Sequence, residues 1–569
     1  MEKNWKIKEQ GDPAVIEYLS EVLGIDKVLA TLLVQRGIST YDEAKAFFRP
    51  ELSHLHDPFL MKDMDKAIDR IGLALAQNEK ILVYGDYDVD GTTAVALVYS
   101  VLKKHTSNIA YYVPDRYHEG YGISFKGIDY AKSNGFTLII SLDCGIKAVE
   151  KIDYAKNRGI DFIVCDHHYP GETIPDAVAV LDPKRPNCNY PYKELSGCGV
   201  GYKLLQGFYR KNNLPTEELE AYLDLVAVSI ASDIVPINGE NRILSYFGLK
   251  QLSTNPGAGL KSVIKIAGLE NKEITVDDIV FKIGPRINAA GRVETGDKAV
   301  ALLVVRDELN ATSMGDKINA FNNTRKSIDN TITAEALKLI ASSPEMKNRY
   351  STVLYNPSWH KGVIGIVASR LIESYYRPTV ILTESNGMAT GSARSVEGFD
   401  LYQAIDACSD LLENFGGHMF AAGVTLKTQN VPAFKQRFED YVAQHITEEQ
   451  LSPTIEIDAQ LELRDINPKF YRILKQFQPF GPANMSPVFL TKNVVDNGCG
   501  RVVGTSGEHL KLELIQEAEP FHVYQAIGFQ MAKYFEDTKN GNAFDICYSI
   551  DENEFRGNTS LQIRIKDIK

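Results

Sequence analysis

The 569-residue sequence has no CxxC pair, and its seven cysteines lie scattered at positions 144, 165, 188, 198, 408, 499 and 547. An odd, dispersed set excludes a disulfide framework and fits a reducing compartment, so a cytoplasmic protein is expected. No apolar run reaches the ~18 residues needed to span a bilayer. The N-terminal stretch MEKNWKIKEQGDPAVIEYL lacks the apolar core of a signal peptide. Positive charge is also short, with 62 Lys and Arg against 74 Asp and Glu and a net charge of −12. That balance argues mildly against a nucleic-acid binder, because phosphates are met by Lys and Arg. The objection lapses if the carboxylates are gathered at a metal site, since a pair of divalent cations offsets four of them. Tandem repeats and low-complexity tracts are absent.

What remains is an ordinary globular composition, 44% hydrophobic and 24% charged, in a chain long enough for three or four domains. From about residue 80, apolar runs alternate with helix-like segments. KILVYGDYD, NIAYYVPD, TLIISLDCG, DFIVCDHH and AVAVLDP read as strands, with TTAVALVYSVLKKH, GISFKGIDYAKSNG and IKAVEKIDYAKNRG as the helices between them. This alternation predicts right-handed βαβ crossovers and a parallel sheet, with ligands outside the carboxyl ends of the strands. Residues 300–350 have few breakers and predict a long helical connector. A second α/β unit follows, with strands STVLYNP and TVILTES and a helix in GVIGIVASRLIESYY. From about residue 453 the period becomes two, in TIEIDAQLEL, HLKLELI, FHVYQAIGF, FDICYSI and SLQIRIKDI, which predicts a small antiparallel barrel of the OB type.

Three aspartates crowd one turn in YGDYDVDGTT, residues 84–93: Asp86, Asp88 and Asp90. Like charges so close repel and shift one another's pKa, and helix capping accounts for only one of them. The stretch is not a P-loop, because Thr92 stands where Lys is required. DVDGTT also resembles the nucleophile loop of haloacid-dehalogenase-type phosphatases, but the downstream Lys and acidic motif of that chemistry are not placed. CDHH, residues 165–168, ends a buried strand in an aspartate and two histidines, a set that a structural role explains poorly. SLDCG adds Asp143 at another strand end, and VAVSIASDIVP adds Asp233 at the end of an apolar helix. Imidazole with carboxylate suits Mn²⁺, Zn²⁺ or Fe²⁺, and a carboxylate-rich set shifts the balance toward Mn²⁺ or Mg²⁺. Taken alone, Arg286 and Arg292 read equally as surface ion pairs, and GGHMFAAG as a tight helix start.

In this order, DYDVDG, SLDCG, CDHH and ASDIVP resemble the motifs of the DHH phosphoesterase superfamily, and within it those of the single-strand-specific DNA exonucleases. RYHEGYG (116–122), GPRINAAGR (284–292), SWHKGVIGIVASRL (358–371), GSARS (391–395) and GGHMFAAG (416–423) extend the resemblance, the last belonging to the DHH-associated (DHHA1) substrate domain. It implies an N-terminal helical segment (1–45), a DHH catalytic domain (46–265), a helical connector (266–345), a DHHA1-like domain (346–450) and an OB-like nucleic-acid-binding domain (451–569). It further implies two divalent ions, Mn²⁺ or Mg²⁺, on Asp88, Asp90, Asp143, His167 and Asp233, with Asp143 as the bridge. His168 would contact the substrate phosphate, Asp86 would support the ligands from behind, and Arg116, Arg286, Ser392, Arg394 and His418 would hold the strand. The activity implied is 5′→3′ degradation of single-stranded DNA to 5′-mononucleotides in recombination and repair. Single-strand-binding protein and a RecQ-type helicase are the implied partners, with no membrane. Two other outcomes stand beside it: a DHH phosphodiesterase for short oligoribonucleotides or cyclic dinucleotides, and a non-catalytic single-strand binder. Some relatives carry His where this chain has Tyr84, and PFGPAN departs from the family's PFGxGN at Ala483, which predicts a local backbone difference.

Overall fold

Five short apolar runs form a parallel sheet in the computed structural model, which describes residues 2–569 other than 517–518, 540 and 556–557. The strands are β1 (Ile81–Gly85), β2 (Ile109–Tyr112), β3 (Leu138–Leu142), β4 (Asp161–Cys165) and β5 (Ala179–Leu181), in spatial order β2-β1-β3-β4-β5. Every residue of β1 and β3 is buried, as strands covered on both faces require. Helix Val89–Leu102 follows β1, and helices Gly197–Lys211 and Leu223–Ser232 pack against it; all three are almost wholly buried.

The stretch expected as a connector, 266–345, holds the 35-residue helix Glu308–Ser342, but its earlier part, with Ile279, Ile283 and Ile287, belongs to the core of the first sheet. The long helix leads to a second five-stranded sheet in the order Asn414–His418, Ala421–Leu426, Met388–Arg394, Thr379–Ser385, Thr352–Tyr355. Two sequence motifs lie side by side there, Ser392 facing Gly423 and Arg394 facing Ala421. All of this belongs to one unit, Leu52–Ser452.

The chain up to Glu51 forms a second unit with Pro453–Lys569. Its barrel consists of Phe489–Asp496, His509–Gln516, Glu519–Gly528, Phe544–Phe555 and Asn558–Ile568, closed where Val494–Asp496 pairs antiparallel with Leu514–Gln516. TIEIDAQLEL is not one of these five strands. It splits into Thr454–Ile457, paired with Asn4–Ile7, and Ala459–Gln460. The strand Phe489–Asp496 escapes sequence reading because a register shift between Thr491 and Val494, with Asn493 at φ 53°, breaks its alternation. Helices Pro13–Leu23, Lys27–Val34 and Tyr41–Phe48 share a core with the barrel, Leu29 and Leu33 lying with Phe489 and Tyr548. Phe489 is core, Tyr524 packs on that core with its hydroxyl on the Ile466 carbonyl, and the Phe521 side chain lies outside the described residues. No helix among the described residues is long and apolar enough to cross a membrane.

Ala483 adopts φ 60°, the left-handed conformation that favours glycine. The departure from PFGxGN therefore places an alanine in a conformation that strains it. Left-handed alanine costs about 1–2 kcal/mol, of which glycine's greater entropy loss returns part. Ala483→Gly is thus expected to stabilise the protein by about 0.5–1 kcal/mol, read as a raised denaturation midpoint.

Candidate metal centre

The chain leaves β1 at Gly85 and turns sharply, bringing Gly91 against Asp86; a Cβ on Gly91 would lie 2.5 Å from the Asp86 carbonyl oxygen. Asp86 is fully buried, with Oδ1 accepting the Gly122 N–H at 3.1 Å and Oδ2 without a partner. Asp88 caps helix Val89–Leu102, accepting the Gly91 N–H at 3.0 Å. Asp90 accepts the N–H groups of Gly197 (2.6 Å) and Cys198 (2.7 Å) and the Ser229 hydroxyl (2.7 Å). It thereby sits at the start of helix Gly197–Lys211, where a helix favours negative charge. Beyond β3, Asp143 is held at φ 58°. Asp233 ends helix Leu223–Ser232.

These groups converge on His167. Its Nε2 lies 3.1 Å from Asp143 Oδ1, 3.5 Å from Asp233 Oδ2 and 3.6 Å from Asp90 Oδ2, while its buried Nδ1 has no partner. Donor atoms of Asp90, His167 and Asp233 lie within 4.8 Å of one another, as do those of Asp143, His167 and His168. Burial first, and then the neighbouring carboxylates, push Asp86, Asp88, Asp143 and Asp233 up, the last to about 8. Burial pulls His167 down, which keeps its imidazole a neutral ligand. A buried set of carboxylates with one imidazole calls for cationic charge, and its donors suit Mn²⁺ or Mg²⁺. Of the expected ligands, Asp90, Asp143, His167 and Asp233 have donor atoms close enough together to hold an ion, while Asp88 is placed by its bond to the Gly91 N–H and its charge interaction with Asp90.

This arrangement sets the pH dependence of the chelated protein. Carboxyls raised on folding hold protons that the unfolded chain releases near pH 4, so they contribute stability that is lost as pH rises through their folded values. In EDTA the melting temperature is expected to fall between about pH 4 and pH 8, the latter set by Asp233. Excess Mn²⁺ should remove this fall, adding about 2.7 kcal/mol at a hundred times its Kd. Calorimetry across that range checks both signs.

Asp166 was foreseen at this rim but given no role. Its Oδ1 accepts the His167 N–H at 2.8 Å and meets His168 Nδ1 at 2.7 Å, and its Oδ2 accepts the Ile146 N–H at 2.9 Å. Despite burial, the hydrogen bond and charge of His168 take Asp166 down to about 2, and the same bond takes His168 up to about 9. His168 is thereby fixed with Nε2 outward, 3.2 Å from the Tyr121 hydroxyl. Tyr84 does not join the ligands. Its hydroxyl donates to the Gly122 carbonyl and accepts the Ser124 N–H, both at 3.1 Å.

Basic residues stand beside the cluster. Arg116 lies 4.0 Å over the Tyr87 ring and donates to the Gly291 carbonyl at 3.1 Å. Arg292, unassigned by the motifs, donates to the Gly362 carbonyl at 2.8 Å. Burial takes its guanidinium down to about 10, helped by Arg116, Arg325 and Arg394; its charge reaches Asp329, but among the described residues no carboxylate forms a salt bridge with it. Arg394 bonds Ser392 Oγ at 2.9 Å. Arg286 reaches the Lys282 carbonyl at 2.6 Å, and its charge acts on Arg325. His418 is exposed at the end of its strand, accepting the Phe420 N–H, with no described contact to the carboxylates. Arg325 was hidden because Arg325 and Asp329 are spaced like an ordinary surface ion pair on a helix, yet both are buried.

The N-terminal domain of the DHH family matches residues 80–230, the DHHA1 domain 348–444 and the RecJ OB domain 457–567. The single-stranded-DNA-specific exonuclease RecJ of Bacillus subtilis is 36% identical over 99% of this chain and 70% of its own length. That of Escherichia coli is 31% identical over 95% of each. The crystal structure of RecJ in complex with Mn²⁺ from Thermus thermophilus superposes with a TM-score of 0.85 at 26% identity, covering all of this chain and 79% of that one. A match to full-length relatives, carried through all three domain types, leaves one conclusion: the chain belongs to the RecJ family.

Proposed function

We infer that the protein is a divalent-metal-dependent exonuclease that degrades single-stranded DNA from the 5′ end to 5′-mononucleotides. The observation that carries this reading is the group Arg116, Arg292 and Arg394, with Ser392: Arg116 acts on Asp86 and Asp88 of the carboxylate–imidazole cluster, Arg116 and Arg394 act on Arg292, and among the described residues Arg292 forms no salt bridge. Half-buried guanidinium groups suit phosphate, which they can grip with two parallel hydrogen bonds. A phosphate-gripping group beside the cutting centre fits a strand end that carries a terminal phosphate, and so the release of one nucleotide per event.

Phosphodiester hydrolysis needs a nucleophile at neutral pH and a sink for charge. When bound, the divalent cations lower the proton affinity of water and offset the charge on phosphate. The chain's own groups do the rest. Asp166 orients His168 so that its Nε2 carries a proton toward the phosphate oxygens. Asp90 ties the cluster to the start of helix Gly197–Lys211, and the arginines fix the terminal phosphate and set the register of the cut. A cyclic dinucleotide has no terminal phosphate for those arginines, and a pure binder needs no assembled ligand set. Work in recombination and repair in the cytoplasm, with recruitment by single-strand-binding protein or a RecQ-type helicase, belongs to the same reading and is supported by family membership.

The test is a long 5′-labelled single strand with Mn²⁺ or Mg²⁺, beside duplex, 3′-labelled strand, RNA and a cyclic dinucleotide. Immediate release of labelled mononucleotide with duplex spared is the expected result. Tight binding without release would show a non-catalytic binder, and cleavage of the cyclic substrate alone a different DHH activity.

A further inference from the structure

Strand order lays the rim out as a line. At one edge β2 runs out to Arg116, next β1 gives Asp88 and Asp90, then β3 gives Asp143, and β4 gives Asp166 to Tyr169. At the far edge is β5, which pairs Leu181 with Cys165 and ends three residues before Lys184. The Asp182 carboxylate accepts the Lys184 N–H at 2.7 Å and bends the chain there. Four interstrand steps separate the edges, about 19 Å at the usual spacing. That leaves room for more than one phosphate.

The two edges are built alike. Arg116 lies over the Tyr87 ring at 4.0 Å, and the Lys184 ammonium lies 5.0 Å from the centre of the Tyr169 ring. They differ in exposure. Tyr87 is half-buried, whereas Tyr169, immediately after His168, is 69% exposed. Lys184 pairs with Glu194 at 3.2 Å, and its side chain is 12% exposed. Its charge acts on His167 and Asp233, so it faces the metal side. An ammonium has three donors, and one carboxylate contact leaves the others for a ligand. A large exposed ring beside a cation is the pairing that single strands use, the base on the ring and the phosphate on the charge.

We propose that Tyr169 and Lys184 seat the nucleotide on the 3′ side of the cut, its base on the Tyr169 ring and its following phosphate on the Lys184 ammonium. The proposal rests on the exonuclease reading and adds a direction to it. The strand crosses the rim from the arginines, over the carboxylates, to β5. The pair positions the strand and takes no part in the bond-breaking.

The experiment uses the full chain with Mn²⁺ and three 5′-phosphorylated oligothymidylates of one length. The first is unmodified, the second carries a neutral methylphosphonate at the second internucleotide linkage, and the third is abasic at its second residue. Stacking on an aromatic ring and a charge-assisted contact are each worth about tenfold or more. Tyr169→Ala should therefore raise KM about tenfold on the unmodified strand and leave the abasic strand unchanged. Lys184→Met should raise KM similarly on the unmodified strand and leave the methylphosphonate strand unchanged. Tyr169→Phe and Lys184→Arg should restore the wild-type pattern, which a variant that merely unfolds would not allow. If either damaging variant weakens all three strands equally, or none, the seat is overturned while the exonuclease reading stands. If the wild-type protein releases no nucleotide from the unmodified strand, the exonuclease reading itself fails.

Discussion

Asp143→Asn is expected to lower nucleotide release by about a thousandfold or more while leaving the protein folded. Of the carboxylates around the His167 Nε2, Asp143 lies nearest, at 3.1 Å, and its neighbours include Asp90, Asp88, Asp233 and Asp166. Charge stabilisation by metals is worth several kcal/mol, and each 1.36 kcal/mol is tenfold in rate, so a loss of about 4 kcal/mol gives that factor. The fold survives for two reasons. Asparagine tolerates the left-handed conformation that Asp143 holds at φ 58°, and the change removes a carboxyl whose charged form burial and its neighbours disfavour. The chelated variant should therefore melt above the chelated wild type, with the order reversed in Mn²⁺. Release assays and paired melts separate this outcome from simple unfolding: a variant that melts lower in EDTA would mean that Asp143 supports the fold and not the metal.

The sequence showed most of the rim and little of what holds it. Asp88, Asp90, Asp143 and His167 were legible as candidates because each follows a strand-like apolar run, and such runs end at the ligand edge of a parallel sheet; Asp233 stood out at the end of an apolar helix. The arginines were only half legible. Arg394 came with its motif, but the surroundings of Arg292 and Arg325 depend on how helix Gly284–Val293 packs against helix Glu308–Ser342, which the residue pattern does not show. Lys184 was invisible for a similar reason: its place depends on β5 lying beside β4, which strand periodicity does not order. In the barrel, a bulge at Asn493 hid one strand, and TIEIDAQLEL alternated well enough to pass for another.

Glycines are the clearest case of a cause the sequence conceals. SGCGVG, residues 196–201, carries Gly197 and Gly199 in one helical turn, and nothing in the string ranks them. In the structure they differ sharply. A Cβ on Gly197 would lie 2.6 Å from the Asp143 Cβ and 2.9 Å from its Cα, whereas one on Gly199 meets nothing nearer than 3.4 Å. Gly197 also donates its N–H to Asp90, so the helix start and two ligands are packed as one body. Gly197→Ala must move Asp143 or the helix, and a displacement near 1 Å in a catalytic group costs about a hundredfold. Overpacking of this kind also destabilises by about 1–3 kcal/mol. Gly199→Ala replaces a poor helix former with the best one and should stabilise by up to about 1 kcal/mol, with activity within about twofold of wild type. Turnover, Mn²⁺ titration and melting of the two variants, side by side, decide the matter. Equal activity in both would mean that the helix start does not position Asp143; a loss confined to Gly197→Ala, with weaker Mn²⁺ binding, would show that a residue with no side chain governs the geometry of the metal centre.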